Sequence, residues 1–145
     1  MPIRTGLFLF LLASLPAVAQ TADWVVYQQG DALELSLDRR AVWVEKDGLV
    51  HFVNQERFAE RQTDKATSVQ FNIRRTEGYA DCKRQQYVFV GLEYYSRNNK
   101  HLYSTMFPVP RYAWKWQPVY QGSVADTMLE NVCNIAQTAP RKKPE

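Results

Sequence analysis

Three groups of side chains in this chain could do chemistry: two cysteines, two histidines and a short aromatic-basic run. Cys82 and Cys133 are its only cysteines, and their spacing is not the Cys-x-x-Cys of a redox-active pair. In an oxidising compartment two such cysteines most simply form one disulfide. His51 and His101 fall in different expected elements, so a shared metal would need carboxylates that the sequence does not locate. Glu56 and Glu60 or Asp47 could meet in space, but nothing in their spacing requires it. There is no Gly-rich phosphate loop and no His-Glu-x-x-His, Gly-x-Ser-x-Gly or Ser-x-x-Lys pattern. Hydrolase and transferase chemistry has no support, and neither a cofactor nor a metal is expected.

The third group is Arg111-Tyr112-Ala113-Trp114-Lys115-Trp116, set between Pro110 and Pro118. Two readings compete. Alternating rings and cations can stack on sugars or grip an acidic partner, because an aromatic face gives contact area at low entropy cost and a cation adds steering. Alternatively, Trp114 or Trp116 plugs the sheet edge beneath the loop while Arg111 and Lys115 face water. Arg111, Tyr112, Trp114 and Lys115 are the candidate partner-binding residues. The basic pairs Arg39-Arg40 and Arg74-Arg75 lie near strand ends, where solvated side chains that blunt a sheet edge are the default.

The compartment follows from the start of the chain. Residues 1–19 carry one charge at Arg4, an apolar run from Leu7 to Leu15 and the small-residue site Ala17-Val18-Ala19, the pattern of a secretory signal peptide. The run is too short for a spanning helix, which needs about 20 apolar residues. No cysteine near that site could accept a lipid, so a soluble exported protein is expected, periplasmic first, with the cell surface or secretion as alternatives. Without Arg4 the 18 basic residues fall to 17 against 15 acidic ones, a charge of +2 that gives little reason to expect nucleic-acid binding. Residues 20–137 suit one domain with one core. The tail from Thr138 to Glu145 has two prolines and no large apolar side chain, and is expected to be a disordered basic segment.

The elements that must position these groups read mostly as strands. Leu33, Leu35 and Leu37 interleave with Glu34 and Ser36, and Val69, Phe71 and Ile73 with Gln70 and Asn72, so each strand should bury one face. Trp24–Gln28 is a short first strand. Ala41–Val44 leads through the hairpin signal Lys46-Asp47-Gly48 into Leu49–Phe58. Gly78–Cys82 turns into Tyr87–Tyr95, where Val88, Val90, Leu92 and Tyr94 should share a face and Tyr95 the other. Arg97-Asn98-Asn99-Lys100 is a polar turn before Leu102–Phe107. At Ser123 the period changes: Val124, Met128 and Val132, flanked by Leu129 and Cys133, predict an amphipathic helix to about Ala136, capped by Ser123 with Asp126 at its positive end. The expected class is α+β, a twisted antiparallel sheet of about six strands with a C-terminal helix packed on one face and tethered by the Cys82–Cys133 disulfide.

With these landmarks the chain resembles the surface-adhesin protein E-like family of exported bacterial proteins. The resemblance rests on Asp23-Trp24, on Asp38 followed by a strand and the Lys46-Asp47-Gly48 turn, and on Asp81-Cys82 before the Arg84–Val90 strand. Tyr94-Tyr95-Ser96, Trp116, and Gly122-Ser123 through Val132-Cys133 complete it. It implies the same sheet, helix and disulfide, and a packing role for Trp116. It also implies non-enzymatic binding of host matrix proteins and plasminogen, and a capacity to form a homodimer. The expected function is therefore an adhesin-like exported binding domain for a protein or glycan partner. A periplasmic structural or accessory role in envelope assembly, with no host ligand, is the alternative.

Overall fold

The computed structural model describes residues 21–107 and 109–145, and the signal peptide expected at residues 1–19 lies outside them. One antiparallel sheet makes up most of the chain. Its main path joins β1 (Trp24–Gln29), β2 (Leu33–Asp38), β4 (Val50–Thr63), β5 (Gln70–Asp81), β6 (Gln86–Tyr95) and β7 (His101–Met106) in that spatial order. Two further strands of two residues each, β3 (Trp43–Val44) and β8 (Gln117–Pro118), pair with β4 and β6 and bring the total to eight. Segments that short show no alternation, which is why about six strands were legible.

The hairpin at Lys46-Asp47-Gly48 is where expected, with Gly48 at φ 85° and its N–H donating to Glu45 O. The positive φ favours glycine there. Gly78, expected to open a turn, lies inside β5 instead. The Phe52 ring rests on it, and a Cβ at this position would lie 2.8 Å from Phe52 Cζ and 2.7 Å from Val88 O. The turn falls at residues 82–85, where Asp81 Oδ1 accepts from the N–H groups of Lys83 and Arg84.

Val90 is an extra residue in the β5–β6 ladder, between the pairs Gly78–Phe89 and Glu77–Gly91. Strict alternation breaks at such a bulge. Val88 therefore sits opposite Tyr79 on one face while Leu92 and Tyr94 share the other, correcting the single apolar face read from the sequence. Tyr94 is core and Tyr95 half-buried on the opposite side.

The helix α1 (Val124–Thr138) starts as its sequence dictates: Ser123 Oγ accepts from the Asp126 N–H, and Asp126 Oδ2 accepts from the Gly122 N–H. Its buried stripe of Met128, Leu129, Val132 and Ile135 closes on Leu37, Val42, Val50, Phe52 and Ala80. Cys133 and Cys82 are joined with their Cα atoms 5.9 Å apart, clamping the helix to the end of β5. Closing a loop of 51 positions contributes about 4 kcal/mol in the chain-entropy account of disulfides.

The other sheet face is covered as well, by side chains of the sheet itself. Arg75 on β5 reaches over Trp24 of β1, 5.0 Å to the ring centroid, and over Tyr95 at 4.1 Å, while its Nε donates to Gln55 Oε1 at 2.8 Å. Beneath this layer Ser36 and Gln55 are buried, so β2 is not the one-sided strand its alternation predicts. The C-terminal tail has no regular structure, yet Arg141 N–H donates to Val42 O at 2.8 Å and Lys143 Nζ pairs with Glu45 at 3.1 Å, because Glu45 is an acid held at the sheet edge among cations. No helix among the described residues is long and apolar enough to cross a membrane.

Candidate functional site

The aromatic-basic run folds as a loop between β7 and β8 and crosses the sheet face opposite the helix. Pro110, with φ −62°, leads into a single 3-10 turn at Arg111–Ala113, closed by Ala113 N–H to Pro110 O. That turn places Arg111 and Trp114 side by side on Tyr79. The Trp114 ring stacks on Tyr79 with centroids 4.9 Å apart, and the Arg111 guanidinium lies 5.1 Å from the Tyr79 ring and 5.4 Å from that of Trp114. Trp114 Nε1 donates to Val109 O at 2.9 Å.

Arg111 is held by acids of the β3–β4 hairpin. It forms an ion pair with Asp47, the tip residue of the β3–β4 hairpin, and lies 3.7 Å from Glu45. Burial against the rings works against its charge, and Asp47 outweighs this, so its pKa rises above the usual arginine value. The cation is therefore tied to acids of the same chain, although its side chain stays 45% exposed. Tyr112 points away and is 92% exposed, and Lys115 is exposed with no acidic partner among the described residues. Trp116 is half-buried, its ring 6.0 Å from that of Trp114.

Under the loop a second layer continues the stack. His51, 3% exposed, packs edge-on against Tyr79 at 5.4 Å and face-on against Trp43 at 3.6 Å. Its Nδ1 is 2.7 Å from Ala41 O and its Nε2 is 2.7 Å from Glu77 Oε1. The hydrogen bond from His51 pulls the Glu77 carboxyl below the ordinary glutamate value, against the opposing effect of its own partial burial. Both ring nitrogens are thus spent on oxygens of the protein itself.

Of the residues singled out in the sequence, Arg111 and Trp114 meet over Tyr79, while Tyr112 and Lys115 face solvent. His51 and His101 are not brought together: His101 begins β7, exposed and edge-on to Tyr95. Glu56 and Asp47 pair with Arg74 and Arg111 instead of with each other, and Arg39 pairs with Asp23 at 3.0 Å. Tyr79, Glu77 and Trp43 escaped notice. The two-residue period of β5 could have placed Glu77 and Tyr79 on one face, but nothing local names their partners. Among the described residues no three His, Cys, Asp or Glu side chains gather as a metal site.

The loop also frames a cavity of about 650 Å3 at the outer edge of β6, lined by Val88, Val90, Phe107, Val109, Trp114 and Lys115 among others. It is mostly apolar with one cation at its wall, the general character of a small-molecule or partner pocket. No curated protein and no solved structure matches the chain. A family model of surface-adhesin protein E matches residues 24–134, from the first residue of β1 to the helix residue after Cys133, and the chain belongs to that family.

Proposed function

We propose that this chain is a non-enzymatic exported binding domain that contacts a protein or glycan partner through the loop of residues 107–117. One observation carries the reading. Met106, Phe107, Val109 and Tyr112 are four of the nine exposed large apolar side chains among the described residues, and they fall within seven positions of one another. Exposed apolar residues concentrated beside a cavity are the usual mark of a contact surface. Membership of an adhesin family points the same way.

The working residues differ in role. Arg111 and Trp114 hold the loop in shape by resting on Tyr79, while Tyr112 supplies the ring and Lys115 the charge offered to a partner. The test is capture of immobilised matrix glycoproteins and plasminogen by the purified domain and by a Tyr112→Ala/Lys115→Glu variant. Capture should fall at least about tenfold, as expected when hot-spot side chains are removed. Unchanged capture removes the loop from the contact surface.

Both cysteines are joined in the disulfide, so neither thiol is left to carry a lipid, and this favours a second reading as a periplasmic accessory protein. Protease and antibody access on intact cells separates the two. Exposure supports adhesion, and protection until the outer membrane is breached supports the accessory role.

A further inference from the structure

The outer edge of β6 is interrupted. β7 pairs with it at residues 91–95 and β8 at Gln86 and Tyr87, both antiparallel. Between them Val88, Phe89 and Val90 have no partner strand on that side among the described residues. The chain's own loop swings around this stretch and touches its backbone through the Phe107 N–H, which donates to Val90 O at 2.9 Å. The cavity framed by the loop lies in this interruption, with Val88, Phe89 and Val90 in its lining.

Building on the reading of the loop as a contact surface, we infer that the gap receives an extended peptide segment of the partner, laid along Val88–Val90 as an added strand. Three chemical features coincide there. A strand edge without a partner strand offers backbone N–H and C=O groups that another backbone can pair with in register, and here the chain's own contact is the single bond from the Phe107 N–H to Val90 O. The cavity, whose lining includes Phe107, Val109 and Trp114, takes apolar side chains from alternate positions of the incoming strand. Lys115, unpaired by any acid among the described residues, complements a carboxylate on that strand. Three residues of strand span about 10 Å, so the docked core is short and draws its selectivity from the apolar pocket and the cation. An acyl chain would fill the cavity but leave the strand edge unmatched, and a sugar would place hydroxyls against an apolar wall.

The test uses the whole exported domain and a phage-displayed random heptapeptide library. Selected peptides should alternate apolar residues and carry a carboxylate. They should shift the amide resonances of Val88, Phe89, Val90 and Phe107, and lose about tenfold in affinity when the two central peptide amides are N-methylated, since this deletes the ladder donors and keeps the side chains. Lys115→Glu should weaken them about threefold or more. Failure to select any peptide, affinity indifferent to N-methylation, or shifts confined to other strands would overturn the inference. So would glycan binding that moves the same resonances while no peptide does. The two readings separate cleanly. If the Tyr112→Ala/Lys115→Glu variant loses matrix capture while no peptide binds the gap, the peptide inference alone falls. If that variant captures matrix normally and an N-methylation-sensitive peptide still binds at Val88–Val90, the loop's role in adhesion falls and the gap stands.

Discussion

The two faces of β5 are closed by different physics. Toward the helix, Gly78 and Ala80 lie against Phe52 and Val50, and α1 adds Met128, Leu129, Val132 and Ile135 with a disulfide behind them. Toward the loop, Glu77 and Tyr79 meet His51, Arg111 and Trp114 through one part-buried hydrogen bond and a stack of rings, with Arg111 ion-paired to Asp47. Apolar burial is non-directional and scales with area, so the helix face supplies most of the stability. Polar and aromatic contacts add little net energy each, but they demand particular distances and angles. The helix face holds the domain together, and the loop face holds a shape.

Removing the covalent tie should break this contrast most visibly. A Cys82→Ser/Cys133→Ser variant should lose about 4 kcal/mol by denaturant unfolding while its loop-face tryptophan fluorescence stays near that of the parent until unfolding begins. Equal stability would mean that the helix clamp is unimportant.

An intermediate effect is expected at the other face, and it depends on pH. Glu77 has a folded pKa below its unfolded value, so its stabilising contribution is complete above the unfolded value and disappears as pH falls through the folded one. Thermal midpoints should therefore fall more steeply for the parent than for Glu77→Gln below about pH 5, with the variant about 1 kcal/mol less stable at pH 7. Parallel curves would remove the His51–Glu77 pair from the account.

The smallest change in stability should come from the loop surface. Tyr112→Ala should stay within about 0.5 kcal/mol of the parent, as for an exposed side chain without a partner. A larger loss would place Tyr112 in the stabilising layer and blur the contrast between the faces.

Much of the fold was legible because its signals are local. The Asp47-Gly48 hairpin, the Ser123 cap with Asp126, the helical stripe ending in Cys133 and the alternation in β2 and β5 each depend on residues a few positions apart. The two-residue strands β3 and β8 were not, since they exist only where β4 and β6 offer an edge to pair with. The loop was picked out by composition alone, and its composition could not say which of its side chains would be used internally. Arg111 is bound by an acid 64 positions away, a contact that no periodicity in either segment encodes.

The sequence by itself determined the class of the fold, the disulfide and the stretch of chain where aromatic and basic residues concentrate, because patterning, capping and cysteine count act within a segment or within the whole composition. Tertiary structure decided that His51 would be buried against Glu77, that Arg111 would pair with Asp47 while Tyr112 and Lys115 took no partner, and that β6 would have no partner strand at Val88–Val90 on its outer side among the described residues. Those outcomes depend on strand register. Register is set cooperatively by every turn and bulge in the sheet, and a single extra residue at Val90 moves each following side chain to the opposite face.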